Sequence, residues 1–382
     1  MQIAFYCPDR HILYDGATPD RTGVGGGITV RIRIAAALAR CGHAVTLICN
    51  CPMAAIHEGV RYVPLDSAPD TIRCDALVMH SSGGAYDLSG LLAKSVEAKV
   101  RVLMLSGPAL PKGAHDLAPD SFYACSNFLR PELVRQGVAP AKIFVSYHGV
   151  NRWNRAGLFG PARDSRRLIY SSHPSKGLDA AREVTRLLRQ RDPRFTLHLF
   201  GGNRLWGGVD ETAAEEPGIV YGGLVGQRRM AAEFQRSAFS IQLQTRLEPF
   251  GITIVEAMAA GCIVVASPVG SYPELLRNGE NGFLVETAQQ AAELIWNVSR
   301  DPTLMRRIRR RAYETPIEWD TVAQVWEAHF TWLDRPGGLS QEWARCLECG
   351  GACLLFADGY HCTACGNFAR SCAPWKSYLP VP

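Results

Sequence analysis

The chain has 382 residues, 47% apolar and 20% charged, with 36 Gly and 23 Pro. It is too long for one ordinary core and suits two domains of roughly 150 to 180 residues plus a tail. The composition excludes disordered, collagen-like and coiled-coil chains, and a net charge of +5 is too weak to point to nucleic acid. No apolar run approaches the roughly 20 residues that a membrane span needs, and Met1 to Arg10 reads as a short strand ending in charge, not an export signal. Of the 13 cysteines, seven are scattered before residue 346 and six crowd between Cys346 and Cys372. With no export signal the thiols are expected to stay reduced, so the crowded group reads as a metal site before a disulfide framework. The expected location is cytoplasmic, either free or peripheral to the inner face of the membrane.

In chain order, residues 3–7 are a short apolar run, followed by a polar stretch and Thr22-Gly23-Val24-Gly25-Gly26-Gly27. From Ile28 the pattern turns helical: Ile28, Ile32, Ala35, Ala36 and Ala39 share one face, with Arg31, Arg33 and Arg40 elsewhere. Gly42 stands where a helix-ending glycine belongs, and residues 45–48 are a second β-branched run. Strand, Gly-rich loop, helix, strand is one βαβ unit. Similar runs at 76–79, 100–105 and 143–147 suit a mainly parallel sheet with helices on both faces. A second series comprises 168–171, 196–200, 219–220, 240–243, 263–266 and 282–285, with helical segments between. The boundary falls near His148-Gly149-Val150-Asn151. A helix over Trp319–Leu333 is ended by Pro336-Gly337-Gly338. The spacing thus predicts an α/β domain over 1–149, a second over 150–335, and a small tail over 340–382.

The most informative stretch runs from Glu248-Pro249-Phe250-Gly251 through Ile252-Thr253 to Glu256, two carboxylates eight positions apart. If residues 249–251 turn into a helix, the amides of Gly251 to Thr253 are unpaired and form an anion site. Glu256 then lies about 12 Å further along at about 1.5 Å per residue. That is too far for two carboxylates flanking one glycosidic bond, which need about 5 to 9.5 Å. The pair instead suits the two ends of one elongated ligand, a sugar at Glu248 and a ribose at Glu256. The competing interpretation is an amphipathic helix with solvated glutamates.

The stretch resembles the E-x7-E signature of retaining glycosyltransferases of family 4. That family has the GT-B fold, two facing Rossmann-like domains with parallel sheets. In order along the chain, Gly25-Gly26-Gly27, His148-Gly149-Val150-Asn151, Lys176-Gly177-Leu178-Asp179 and Gly261-Cys262-Ile263-Val264 resemble further segments of it. So do Val269-Gly270-Ser271-Tyr272-Pro273-Glu274 and Asn278-Gly279-Glu280-Asn281-Gly282. The likeness spans roughly residues 1 to 335, with the last helix expected to cross back to the first domain. It implies that Glu248 contacts hydroxyls of a donor sugar, Glu256 the ribose of its nucleotide, and Lys176 the diphosphate. The amides of Phe250, Gly251, Ile252 and Thr253 would hold phosphates and sugar, and Gly26 and Gly27 would let backbone approach the donor. Glu248 and Lys176 are then the catalytic candidates. Lysine plus a helix N-terminus stabilises the charge that builds on the leaving diphosphate, so no catalytic metal is expected.

Two departures stand out. The family carries an arginine about five residues before the lysine, but here Tyr170-Ser171-Ser172-His173-Pro174-Ser175 precedes Lys176, leaving Arg246 and Arg204 as candidates for the second phosphate charge. The family often has a histidine near residue 105, where this chain has Leu105-Ser106-Gly107-Pro108; His80, His115 or neither takes its place.

In the tail, Cys346-Leu347-Glu348-Cys349 and Cys362-Thr363-Ala364-Cys365 are two C-x2-C knuckles with twelve residues between them. Four thiolates from such turns make a closed tetrahedral zinc site, structural because no position stays open. Cys353 is an alternative to Cys349. The tail resembles a zinc ribbon, but Arg345, Arg370 and Lys376 are balanced by Glu342, Glu348 and Asp358, so nucleic acid is not expected as a partner. The basic run from Arg306 to Arg311 reads as a solvated helix face or a contact for anionic lipid or acidic acceptor. The sequence thus points to a retaining glycosyltransferase moving a hexose-type sugar from a UDP- or GDP-type donor to an acceptor of undefined class. The alternatives are a nucleotide-sugar epimerase or hydrolase, and a non-catalytic scaffold docking through its zinc ribbon.

Overall fold

The computed structural model describes residues 1–157, 163–210 and 216–334, with tail strands at 344–346, 352–356, 359–362, 368–370 and 378–380. The chain divides into unit 1, comprising Met1–Ala17, Gly27–His148 and Trp319–Pro382, and unit 2, comprising Thr18–Gly26 and Gly149–Glu318.

The strands of unit 1 are β1 (Gln2–Tyr6), β2 (Ala44–Cys49), β3 (Ala55–His57), β4 (Val60–Pro64), β5 (Thr71–Ser81), β6 (Ser95–Leu105), β7 (Ser121–Ala124) and β8 (Ile143–Val145). They form one sheet in the order β3-β4-β2-β1-β5-β6-β7-β8, parallel except where β3 meets β4. Residues Ile3 to Tyr6 of β1 are all buried, as a parallel strand covered on both faces requires. Between β1 and β2 lie α1 (Thr18–Arg21) and α2 (Gly26–Arg40), and α3 (Arg130–Arg135) follows β7. Helix α2 begins two residues before the expected Ile28, so Gly26 and Gly27 form its first turn and not a preceding loop. It also buries Arg31 and Arg33. Strands β3, β4 and β7 carried too little alternation to be read from the sequence.

Unit 2 contains β9 (Asp164–Ser172), β10 (Thr196–Gly201), β11 (Ile219–Gly223), β12 (Ser237–Gln242), β13 (Ile263–Ala266) and β14 (Phe283–Leu284). Their order is β11-β10-β9-β12-β13-β14, parallel throughout. Because β10 and β12 flank β9 on opposite sides, the strand order reverses there, and the loops after β9 and β12 diverge around a crevice. The intervening helices are α4 (Leu178–Arg191), α5 (Gln227–Arg236), α6 (Ile252–Ala259), α7 (Tyr272–Leu275), α8 (Ala288–Ser299) and α9 (Pro302–Glu314). Leu168, Val184, Leu188, Ile241, Ile295 and Ile308 anchor the core that α4, α8 and α9 share with the sheet.

Residues 18–26, expected within the first domain, group instead with unit 2. The reason is a direct backbone approach: a Cβ at Gly226 would lie 1.9 Å from the carbonyl oxygen of Asp20, so only glycine fits. Conversely, α10 (Trp319–Leu333) groups with unit 1. Its Trp326 donates to Ser146 Oγ at 2.7 Å, and its His329 Nδ1 lies 2.6 Å from the Tyr123 hydroxyl while its ring stacks on Phe144. The tail backbone forms β15 (Ala344–Cys346), β16 (Ala352–Phe356), β17 (Gly359–Cys362), β18 (Phe368–Arg370) and β19 (Tyr378–Pro380), antiparallel in the order β18-β17-β16-β15-β19. Among the described residues no helix is long and apolar enough to cross a membrane.

Candidate functional site

The carboxyl ends of β9 and β12 in unit 2 bring Lys176 and Glu248 together: Lys176 Nζ donates to Glu248 Oε2 at 2.6 Å. After β9 the chain makes a short turn, Pro174–Lys176, and leaves it through Gly177 at φ 96°. A side chain at Gly177 would run into the Leu243 carbonyl oxygen, 1.6 Å from the Cβ position, so the lysine turn is pressed against the end of β12.

Glu248 is held from behind. Gln244 Nε2 donates to Glu248 Oε2 at 3.3 Å and to the Tyr272 hydroxyl at 2.6 Å. Ser271 N donates to Glu248 O at 3.0 Å, and Ser271 Oγ to Phe250 O at 2.7 Å. Burial first, then the Glu248 carboxylate, raises the Tyr272 phenol well above its ordinary range, so it stays neutral. The carboxylate thus sits on a hydrogen-bonded shelf, half-buried, one turn of chain before α6. Gly251 caps that helix at φ 87°, and Ile252 and Thr253 open it. Gly26, at the start of α2 but grouped with unit 2, approaches Ile252: a Cβ there would lie 3.4 Å from its Cγ2. Further along α6, Glu256 Oε1 accepts from Gln227 Nε2 at 2.8 Å. A cavity of about 610 Å³ opens beside this shelf, lined among others by Ser175, Asp179, Gln244, Thr245, Ser267 and Glu286.

A second group surrounds the lysine. The His173 ring stacks on Trp206 with centroids 3.7 Å apart, and Lys176 Nζ and Arg246 Cζ lie 5.7 and 5.1 Å from the centroid of that same indole. Burial first, then the charges of Arg246 and Lys176, lowers the pKa of His173 below its ordinary value. Trp206 carried no sequence signal, because its importance depends on three strand ends meeting.

In unit 1, Gly27 packs against Ser82, whose Cβ would be 2.4 Å from a Cβ added to the glycine. His80 is fully buried, with Nε2 2.7 Å from Ser106 Oγ; burial, then Arg31 and His148, holds its pKa well below the usual range. His115 donates to Gln136 O at 3.1 Å. Ser106 stands where the resemblance led us to look for a histidine, with His80 behind it. Unit 1 also holds a buried group that the sequence did not reveal. Arg31 donates to Asp9 Oδ2 at 2.6 Å and to the Tyr14 hydroxyl at 3.0 Å, and Ser82 joins them; the Arg31 and Asp9 side chains are 0% and 2% exposed.

Of the four cysteines expected to hold zinc, Cys349 and Cys365 lie outside the described residues. Cys346 ends β15 and Cys362, which is buried, ends β17. Both strands run antiparallel to β16, and Ala344, Cys353 and Cys362 fall in one cross-strand row. The two strands therefore end on the same side of the sheet, and the two knuckles begin there. No group of three or more metal-ligating side chains occurs among the described residues.

Residues 167–315 match the family model of glycosyl transferases group 1. A D-inositol 3-phosphate glycosyltransferase of Streptomyces avermitilis is 36% identical over 105 residues, covering 26% of this chain and 22% of the relative. The match covers well under two thirds of the length of such curated relatives, at 22%, 35% and 28% for three of them. Among solved structures, Anabaena HepE in complex with UDP and glucose superposes with a TM-score of 0.61 at 19% identity, covering 87% of this chain and 99% of that one. Sucrose-phosphate synthase from Thermosynechococcus elongatus gives 0.64 at 18% identity, covering 87% and 100%. These likenesses give the fold: α/β and GT-B-like, with parallel sheets in two domains.

Proposed function

We propose, from the match of residues 167–315 to the family model of glycosyl transferases group 1, that the protein moves a hexose-type sugar, with retention, from a UDP- or GDP-type nucleotide sugar to an acceptor. The observation that carries this reading is the 2.6 Å Lys176–Glu248 pair beside the start of α6, at the point where strand order reverses. In the reaction the bond from the anomeric carbon to the phosphate oxygen breaks, and its electrons stay on the diphosphate. The acceptor oxygen bonds to the same face of the sugar, and its proton passes to the leaving phosphate oxygen. Lys176 and the first-turn amides of α6 stabilise that leaving group, and Glu248 orients the sugar through its hydroxyls. Glu256, about one turn into α6, takes the ribose. That HepE binds UDP and glucose supports a UDP-type donor.

The test is a thermal-shift panel of UDP-, GDP-, ADP-, CMP- and dTDP-sugars with nucleotide release followed in parallel. One donor class at about 100 Kd is expected to stabilise the protein by about 2.7 kcal/mol. Release that needs no acceptor and leaves free sugar would favour a hydrolase, and no stabilisation by any nucleotide sugar would favour a scaffold.

We also propose that Cys346, Cys349, Cys362 and Cys365 hold one structural zinc. Four thiolates are the donor set of a closed site, and the ends of β15 and β17 lie on the same side of the tail sheet, as such a site needs. Zinc there would tie the two knuckles together and perform no chemistry. Elemental analysis of freshly purified protein is expected to give about one zinc per chain; none would remove the assignment.

A further inference from the structure

The nucleotide-sugar reading leaves a charge unaccounted for. A nucleoside diphosphate carries two to three negative charges at neutral pH. Lys176, the one cation that the resemblance supplies, is already matched by Glu248 at 2.6 Å. Taken together, the lysine turn and the Glu248 shelf have no net charge to offer.

Arg246 differs. It is exposed and, among the described residues, pairs with no carboxylate within salt-bridge distance. Its guanidinium lies over the Trp206 indole, 5.1 Å from the centroid, and Lys176 Nζ lies 5.7 Å from that same centroid. Trp206 is itself fixed by stacking on His173, at 3.7 Å and 12°. The four side chains come from the ends of three neighbouring strands: His173 and Lys176 after β9, Trp206 after β10, Arg246 after β12. They meet where the strand order reverses, the place where an open parallel sheet binds its ligand. Burial first, then the fields of Arg246 and Lys176, lowers the pKa of His173, in keeping with two cations close to the same ring.

We propose that Arg246 is the second phosphate-binding cation of this protein, presented by Trp206 in place of the arginine missing ahead of Lys176. The inference rests on the nucleotide-sugar reading and makes it more specific. A planar guanidinium grips a phosphate through two parallel hydrogen bonds, which an ammonium does not do. Stacked on an indole, it loses little further freedom when the ligand arrives, and the tryptophan face costs it less hydration than a carboxylate partner would. Arg204, the other candidate, stands on the same turn as Trp206 but makes no cation–π pair with the indole among the described residues.

Titration calorimetry of the full chain with UDP and UMP, and with GDP and GMP, tests this. Arg246→Gln is expected to weaken diphosphate binding about 10- to 100-fold and monophosphate binding far less. Arg246→Lys should restore part of the loss, Trp206→Leu should lose several-fold in the same diphosphate-selective way, and Arg204→Gln should bind as wild type does. If Arg246→Gln binds diphosphate like wild type, or Arg204→Gln loses as much, Arg246 is not the missing charge and the nucleotide-sugar reading stands without it. If wild type binds no nucleoside diphosphate, both fall together.

Discussion

Glu248→Ala is expected to lower sugar transfer by about 10²- to 10³-fold, the scale of losing one oriented polar group that acts in the transition state. The same variant should bind the sugar-free nucleoside diphosphate more tightly than wild type. Lys176 is engaged by Glu248 at 2.6 Å, and a phosphate must compete for it. Removing the carboxylate frees the ammonium, so affinity for the diphosphate should rise by about three- to tenfold, the range of a partly exposed ion pair of about 1 kcal/mol. Opposite signs for turnover and for product binding separate this from simple unfolding, which lowers both. Full transfer activity in Glu248→Ala would sink the catalytic assignment. Unchanged diphosphate affinity would show that the pair seen here does not gate Lys176.

Arg31→Ala should have the largest effect on stability. It would strand the Asp9 carboxylate, 2% exposed, and remove the donor to Tyr14. Breaking a buried pair from one side costs about 3 to 5 kcal/mol, because the remaining charge is neither solvated nor matched. A fall in melting temperature on the order of 10 °C should follow. The double variant Arg31→Met with Asp9→Asn should recover part of it, since removing both charges removes the penalty for an unpaired one. An Arg31→Ala protein that melts with wild type would mean that water reaches this pair.

These two residues also mark where sequence reasoning succeeds and where it stops. The turns that carry Glu248 and Lys176 were legible because they depend on local chain: a proline and glycine turning into a helix, a lysine before a glycine. The central strands were legible for the same reason, since runs such as 263–266 are uniformly apolar and β-branched. Arg31 was not. By helical spacing it fell off the apolar stripe of α2, and its partners lie 22 and 51 positions away at Asp9 and Ser82. No period in a sequence reports a charge satisfied at such range. Trp206 was equally mute, an isolated aromatic, and nothing in the sequence chose between Arg246 and Arg204, until the ends of β10 and β12 were placed beside β9. The excursion of residues 18–26 into unit 2 is a third case. The glycine that permits it, Gly226, lies two hundred residues downstream.

The assignment of α10 to unit 1 bears on how the protein can be taken apart. An expression fragment ending at residue 149 would look like a whole domain by its strand count. It would nevertheless leave Tyr123 and Phe144 facing solvent, because the Trp326, His329 and Phe330 rings that cover them belong to α10, far beyond that end. Unit 1 is therefore completed only once the chain has passed through unit 2. During synthesis its aromatic surface waits for the rest of the polypeptide, and a nascent chain paused before Trp319 is a client for chaperones, not a finished half.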